Sequence, residues 1–279
     1  MVQTNMRSTR VKPSRSELIV AHVLRTQQLS PSFVRVTLSG GDIDTFAPLG
    51  FDQWFRLFIP VHGGNLDRLP GKLDMIAYTR YLAISKAVRP VLRNYSVSGW
   101  RPDGPEGAEL DIDFVIHGDP TDQTSGPAAR WAHACSPGDA VAIIDEGITF
   151  TPHPDIRQIR LVADETGLPA IGSILDTLTN TAPNIIGEVV VEVPHPGDRL
   201  PIVAPDGVNV HWVVRDDPHA VPGRAAGAVA QALPAPAVRT YGWAVGESAL
   251  PIAMRRHWLT QGFAKHDILF CGYWKAGRH

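Results

Sequence analysis

The sequence is poor in cysteine, with only Cys135 and Cys271 among 279 residues. They lie far apart and form no CxxC pair, so neither a disulfide scaffold nor a cysteine metal site is indicated. No apolar run approaches the roughly 20 residues of a membrane-spanning helix. The 26 Lys and Arg nearly balance 28 Asp and Glu, which disfavours nucleic acid and leaves at most peripheral membrane contact. These absences fit a protein of the reducing cytoplasm.

Several catalytic signatures are also missing. The 11 histidines include no HxxxH or HExxH pattern, and no carboxylates have the spacing of a metal loop, so we expect no metal site. The chain has no GxSxG elbow and no P-loop, which leaves hydrolase and kinase functions without support.

Glycine and proline are abundant, with 25 and 24 residues respectively. This composition predicts many short elements joined by tight turns rather than a helix bundle. Residues 1–16 are basic and polar with no apolar stretch behind them, so we predict a flexible tail and no signal peptide.

Residues 17–152 show the pattern of β-strands. Phe33–Leu38 and Glu109–Ile116 alternate apolar and polar residues, and turn clusters separate the runs. A single short helix is predicted to begin near Gly126-Pro127. The pattern indicates an antiparallel β-barrel domain.

In residues 153–279 the sequence pattern changes from successive strands to strands that alternate with helices. The short strand Ile159–Val162 is followed by a helix with apolar residues at the i, i+3, i+4 and i+7 positions from Ile171 to Leu178. Further strands and helices alternate; we predict strands at Val189–Val193, Val208–Val214, Arg239–Val245 and Ile268–Gly272, and helices at Gly223–Leu233 and Ser248–Phe263. This order indicates a Rossmann-like α/β domain with a parallel sheet.

The segment Arg93-Asn94-Tyr95-Ser96 is the first candidate for chemistry. In an extended strand Arg93 and Tyr95 share a face while Ser96 turns to the other. A guanidinium beside an aromatic ring suits the pyrophosphate and flat ring of a dinucleotide. The alternative is an ordinary strand with a surface cation and a packed tyrosine.

Two neighbouring features strengthen the dinucleotide hypothesis. Gly126-Pro127-Ala128-Ala129 opens the predicted helix with small residues, which leave its first backbone N–H groups accessible to an anion. His117-Gly118 ends the strand before it. Both features also occur without any ligand, as a plain helix start and a structural histidine.

In the second domain, Asp164–Ala170 links the first strand to the first helix, where α/β sheets present ligands. The loop is not GxGxxG, and its two carboxylates would repel a phosphate, so an ordinary capping role is an alternative. Trp274 and Lys275 follow the last strand and would lie at the same sheet edge.

Seven motifs in order resemble those of the siderophore-interacting proteins, the FAD-dependent ferric-siderophore reductases of the vibriobactin-utilisation type, which have a ferredoxin reductase-like fold. The motifs are Asp52–Pro60, Arg93–Ser96, Ile112–Gly118, Gly126–Ala132, Asp164–Ala170, Trp243–Glu247 and Gly272–Gly277. The resemblance implies an FAD-binding barrel over 17–152 and an NAD(P)H-binding-like α/β domain over 153–279.

The resemblance also implies roles for single residues. Arg93 would hold the FAD pyrophosphate, Tyr95 would lie along the isoalloxazine or ribityl, and Ser96 would bond near flavin N5 and O4. The implied FAD contacts further include His117, Gly118, Ser125, Gly126, Ala128 and Ala129, with Asp164, Thr166 and Trp274 on the other side of the flavin.

Family members take electrons from NADPH or NADH, or in some cases from a ferredoxin, and reduce a ferric siderophore inside the cell. An anionic siderophore or the nicotinamide donor would meet cations, for which the candidates are Arg56, Arg215, Arg255, Lys275 and Arg278. Arg215 could bind a 2′-phosphate, although Asp216 and Asp217 oppose one. Two other functions stay open: a flavin or ferredoxin-type oxidoreductase without siderophore preference, and a non-catalytic siderophore-binding module.

Overall fold

The computed structural model describes residues 4–61, 66–72, 75–116 and 126–277, without the side chains of Arg7, Ser8 and Met75. The chain divides into two compact units. The β unit comprises Lys12–Leu49 and Gln53–Ile148; the α/β unit comprises Met1–Val11, Gly50–Asp52 and Thr149–His279. Among the described residues, no helix is long and apolar enough to cross a membrane.

The β unit is built on a seven-stranded antiparallel sheet with the order β4-β3-β7-β1-β2-β6-β5. Apolar residues at alternate positions of these strands, such as Val36 and Ile112, which lie opposite each other, form its core. The strands are β1 Leu18–Ser30, β2 Phe33–Ser39, β3 Trp54–Ile59, β4 Val91–Ser96, β5 Gly99–Gly104, β6 Gly107–Val115 and β7 Ala140–Gly147.

The polar face predicted for β6 is covered by arginines instead of water. Glu109 and Asp111 are buried, and the Arg101 guanidinium bonds both, at 2.8 and 2.7 Å. Arg25 also bonds Glu109, and this hydrogen bond is the main reason that the pKa of Glu109 falls to about 2. Alternation was therefore predicted correctly, but the carboxylates of the second face are buried beneath partly exposed arginines.

The β unit contains two helices among its described residues, whereas the sequence predicted one. Helix α3, Pro127–Ala134, begins at the predicted proline. Helix α2, Met75–Ala83, was missed because its apolar residues do not follow a single face: Ala77 and Tyr81 are buried while Ile76 is exposed. Tyr81 packs in a small cluster that includes Phe58, Ala142 and Ile144.

The α/β unit has a five-stranded parallel sheet with the order β10-β9-β8-β11-β12. Its elements are β8 Gln158–Ala163, α4 Leu168–Thr181, β9 Ile186–Val193, β10 Val208–Val214, α5 Arg224–Ala232, β11 Thr240–Glu247, α6 Ala249–Thr260 and β12 Ile268–Trp274. Helices α5 and α6 pack on Val162, Val190 and Ala244. The predicted alternation of strands and helices is confirmed.

Residues 1–16, predicted as a flexible tail, contain a short helix and contacts to the sheet, and their flexibility stays a prediction. Residues Met6–Thr9 form a short helix, α1, and Asn5 bonds the edge strand β12. The Asn5 amide donates to the Ile268 carbonyl at 2.7 Å and accepts from the Phe270 amide at 3.0 Å. A side-chain amide carries the same donor and acceptor pair as a backbone peptide, so it satisfies the free edge of the strand.

Candidate functional site

Strand β4 carries Arg93 and Tyr95, which lie opposite Leu57 and Phe55 of β3. Arg93 is exposed, and among the described residues its guanidinium donates only to the Leu92 carbonyl, at 2.9 Å. No carboxylate of the described chain neutralises it. Tyr95 is half-buried with its ring 4.4 Å from the ring of Phe114, and burial raises the pKa of its phenol.

Helix α3 lies beside this strand. It contacts β4 and β6, and its Trp131 ring is 5.7 Å from that of Phe114, so Tyr95, Phe114 and Trp131 form a continuous aromatic row. The helix begins after Gly126 without a side-chain cap and without an acidic residue in its first turn. Its first amides therefore have no intrahelical partner and keep their affinity for an anion.

These residues fit the diphosphate and flat ring of FAD. Arg93 supplies a cation without a carboxylate partner, and the start of α3 supplies backbone donors. The backbone at Gly126 is open, since a Cβ there would meet no atom within 4 Å. Ala128 and Ala129 keep the first turn free of bulky side chains, and Ser96, opposite Trp54 of β3, is half-buried at the end of the strand.

A second cluster lies in the α/β unit around Asp164, directly after β8. This fully buried carboxylate accepts four hydrogen bonds. The Thr166 amide and hydroxyl donate to one oxygen at 2.9 and 2.5 Å; the Glu247 amide and the Trp274 indole donate to the other at 2.6 and 3.2 Å. Asp164 thus holds Thr166 and Trp274 together, and the capping role considered for this loop is confirmed.

Burial, with a further contribution from the negative charge of the neighbouring Glu165, raises the pKa of Asp164 to about 7. The close approach of strand β11 requires glycine: Gly246 has φ +125°, and a Cβ there would lie 2.6 Å from the carboxyl carbon of Asp164. Gly167 is also confined, because a Cβ there would lie 2.6 Å from side chains of Ala163 and Val245.

Glu247 is a further site residue, which the sequence indicated only as the last residue of the Trp243–Glu247 motif. Its buried carboxylate accepts from the Ala249 amide at 2.7 Å, at the start of α6, and from the Ala276 amide at 3.3 Å. The Ser248 hydroxyl donates to the Trp274 carbonyl at 2.6 Å. These bonds fix both the backbone and, through Asp164, the indole of Trp274.

Arg215 does not serve as a free cation, contrary to the suggested role at a 2′-phosphate. Its side chain is 3% exposed and donates to Glu165 at 2.7 and 2.8 Å and to Glu192 at 3.1 Å. Burial alone would lower the pKa of Arg215, but the bonds from the two carboxylates outweigh it and raise the pKa. The guanidinium is committed to an internal ion-pair network, which sequence spacing could not reveal.

The other candidate cations differ in availability. Arg56 has its Nε 2.6 Å from the Glu146 carboxylate, and Arg255 lies 5.0 Å from the ring centre of Phe270. Lys275 is exposed. Arg278 lies outside the described residues, as do the predicted FAD contacts His117, Gly118 and Ser125.

The predicted site residues therefore form two groups. Arg93, Tyr95 and Ser96 lie in the β unit, in which helix α3 carries Gly126, Ala128 and Ala129; Asp164, Thr166 and Trp274 lie together in the α/β unit.

Two family models match the chain over most of its length. Residues 22–149 match the siderophore-interacting FAD-binding domain, and residues 156–277 match the siderophore-interacting protein model. The first model covers both Arg93 and the start of α3, and the second covers Asp164 and Trp274.

Curated relatives agree with this match. An uncharacterised protein of Mycobacterium tuberculosis is 32% identical over 194 residues; the match covers 69% of this chain but only 64% of that protein, less than two thirds of its length. The ferric vibriobactin reductase ViuB of Vibrio cholerae is 28% identical over 92% of this chain and 89% of its own. The NADPH-dependent ferric-chelate reductase of Escherichia coli is 26% identical over 91% of each chain.

Solved structures share the fold. The siderophore-interacting protein SipS of Aeromonas hydrophila superposes with a TM-score of 0.74 at 26% identity, covering 95% of this chain and 94% of SipS. The ferredoxin reductase of carbazole 1,9a-dioxygenase gives 0.64 at 17% identity, covering 94% of this chain and 71% of that one. The fold is ferredoxin reductase-like, as the sequence predicted.

Proposed function

Because the chain belongs to the siderophore-interacting protein family, we propose that it is an FAD-dependent ferric-siderophore reductase. It reduces Fe(III) to Fe(II) on the siderophore, with electrons from NADPH or NADH. The relatives named as ferric vibriobactin reductase and NADPH-dependent ferric-chelate reductase support the reaction class. Fe(II) is a softer, less highly charged ion than Fe(III), so a chelator built for Fe(III) binds it weakly and releases it after the one-electron reduction.

The observation that carries this proposal is the exposed Arg93 on β4, in a unit where helix α3 packs against the same strand with uncapped first-turn amides. When bound, FAD would accept two electrons together, as a hydride, and pass them on one at a time. Arg93 and the amides of Ala128 and Ala129 would hold its diphosphate. Tyr95 and Ser96 would lie along its ring system, with His117, Gly118, Ser125 and Gly126 completing the FAD-binding domain that we assign to residues 17–152.

We assign the α/β domain to residues 153–279 and the binding of the nicotinamide donor to this domain. The residues described here position other side chains rather than react. Asp164 accepts hydrogen bonds from both Thr166 and Trp274, so one buried carboxylate fixes the orientation of a hydroxyl and an indole. We assign these two side chains to the flavin, and Asp164 to holding them rather than to direct contact. No side chain is required to act as nucleophile, because the redox chemistry belongs to the cofactor.

The substrate of this proposal is a ferric siderophore in the cytoplasm. Ferric siderophores are often anionic, and the exposed Lys275, with Arg255 and Arg278, would supply the positive charge that attracts one, whereas Arg56 is already paired with Glu146. NADPH is the favoured donor because the Escherichia coli relative is named for it. NADH, or a ferredoxin as the family resemblance implies, is the alternative donor.

The first experiment measures flavin content. The purified protein should be yellow and contain FAD, and Arg93→Ala should lose FAD at least tenfold more readily, since one charge-assisted contact to the diphosphate is removed. Arg80→Ala, which removes another exposed cation of the β unit, is the matched control and should retain FAD. Equal FAD retention in the two variants would refute the position of the diphosphate.

The second experiment measures electron transfer. Anaerobic addition of NADPH or NADH should bleach the flavin absorbance, and a ferric siderophore should restore it. Equal steady-state rates on ferric citrate and on ferric siderophores would indicate a general flavin oxidoreductase. A colourless protein that takes up no FAD would leave only the siderophore-binding module.

A further inference from the structure

Helix α2 exposes an unusual amount of apolar surface. Of the eight large apolar side chains that are exposed in the described part of the chain, three lie on this nine-residue helix: Ile76 at 67%, Tyr78 at 41% and Leu82 at 47%. Ile76 and Leu82 lie on the same broad outer face, with Thr79 between them, because residues three apart are neighbours on a helix. Single exposed apolar residues are ordinary, but a cluster on one short helix indicates a binding surface.

The inner face of α2 is already used, so its outer face is fixed in place. Ala77 and Tyr81 are buried against the sheet. The Tyr81 hydroxyl donates to the Pro90 carbonyl at 2.8 Å, and Arg89 lies 5.5 Å from the Tyr81 ring centre while donating to the Leu82 carbonyl at 2.9 Å. These contacts therefore hold the C-terminal end of the helix.

The chain around α2 is basic, although the whole protein has a net charge of −2. Between residues 66 and 93 the sequence contains six cations, Arg68, Lys72, Arg80, Lys86, Arg89 and Arg93, against the two carboxylates Asp67 and Asp74. Lys72 lies 3.7 Å from Glu17 and Arg93 is assigned to the FAD diphosphate, which leaves four cations for the surface around α2. Arg80 on the helix and Lys86, three residues after its end, are both exposed. A local excess of positive charge therefore coincides with the apolar cluster.

Apolar residues on a short surface helix, with Lys and Arg on or next to it, are typical of segments that bind at a membrane interface. Leucine and isoleucine enter the boundary between headgroups and acyl chains, tyrosine prefers the headgroup level, and long cationic side chains reach lipid phosphates. Each cation near an anionic bilayer contributes a roughly fivefold gain in binding. Nine residues are too few to span a bilayer, so such a helix lies on the surface.

We propose that α2 docks the protein reversibly on an anionic phospholipid bilayer. In this docking, Ile76 and Leu82 enter the headgroup boundary and Arg80 and Lys86 face lipid phosphates. The contact would hold the protein at the membrane surface, and it is independent of the FAD site because none of these four residues belongs to it.

Vesicle flotation of the full-length holoprotein tests the docking. The vesicles are phosphatidylcholine alone and phosphatidylcholine with about 30% phosphatidylglycerol, the latter at low and high salt; this lipid fraction is chosen because surface charge drives such binding. The wild type should float with the anionic vesicles at low salt and be released at high salt. Failure to float with them under any of these conditions would overturn the proposal.

Two double variants and one matched control locate the contact. Ile76→Ser with Leu82→Ser, and Arg80→Glu with Lys86→Glu, should each lower the vesicle partition coefficient at least tenfold, while keeping the flavin spectrum and the reduction rate in solution. Ile186→Ser with Val203→Ser removes exposed apolar residues of the α/β unit and should change nothing. Equal partition of the wild type and both α2 variants would refute the assignment. So would a wild type that ignores vesicles but binds an acidic iron–sulfur protein through these residues.

Discussion

Replacing Arg215 with methionine should destabilise the protein strongly without changing its choice between NADPH and NADH. The guanidinium makes two bonds to Glu165 and one to Glu192, and the two carboxylate side chains are completely buried. Methionine retains much of the side-chain volume but no charge. The substitution therefore tests an ion-pair network rather than packing.

The expected magnitude follows from what each carboxylate retains. Removing one partner of a buried ion pair costs about 3–5 kcal/mol. Glu192 still accepts from the Gly223 and Ala226 amides at 2.9 and 2.8 Å, so its charge keeps partial compensation. We therefore expect the lower part of that range, which corresponds to a fall in Tm of roughly 6–16 °C for a protein of this size.

Urea unfolding followed by tryptophan fluorescence measures the loss, and the ratio of kcat/KM for NADPH and NADH measures donor choice. Arg255→Met is the matched control: Arg255 is half-buried over the Phe270 ring, so its loss should cost about 0.5–1 kcal/mol. A loss below about 1 kcal/mol in Arg215→Met, together with a tenfold shift of the donor ratio, would show that Arg215 binds a 2′-phosphate and would refute the structural role.

Two further predictions concern Asp164. Gly246→Ala would place a Cβ 2.6 Å from the Asp164 carboxyl carbon and should cost more than 2 kcal/mol in urea unfolding, whereas Gly262→Ala, also at positive φ but in open space, should cost only about 1 kcal/mol; equal losses would contradict the close approach. Burial raises the pKa of Asp164 to about 7 and that of Asp145 to about 6, while both ionise near 4 in the unfolded chain. The folded state therefore holds extra protons from about pH 4 to 7, and its unfolding free energy should fall as pH rises through that window, by up to about 1.4 kcal/mol per unit for each group. Urea midpoints that increase from pH 5 to pH 7 would contradict this sign.

The sequence predicted those elements whose burial follows a simple period. Val208–Val214 is a strand with the predicted bounds, and Ile171, Ile174, Leu175 and Leu178 are buried on α4 as their spacing requires. Helix α2 was missed for the opposite reason, because part of its apolar surface faces outward. Local periodicity identifies one buried face, and it fails where apolar residues lie on both the buried and the exposed side of a helix.

The parts of the site that depend on contacts between residues close in sequence could be predicted. Thr166 is two residues from Asp164, and the capping bond between them is a local feature. Arg215 instead meets Glu165 and Glu192 across parallel strands, 50 and 23 residues earlier. Only the sheet order brings these charges together, so a lone arginine after a strand was interpreted as a free cation.

The attachment of Asn5 to β12 has a consequence for solution behaviour. Strand β12 is at the edge of the parallel sheet, and unpaired edge strands are templates for association between copies of a protein. Thr4 forms a β-bridge with Cys271, and the Asn5 side chain bonds the carbonyl of Ile268 and the amide of Phe270. These residues therefore block edge-to-edge pairing of β12 with another copy. Deleting residues 1–5 should therefore promote concentration-dependent aggregation while leaving both sheets intact.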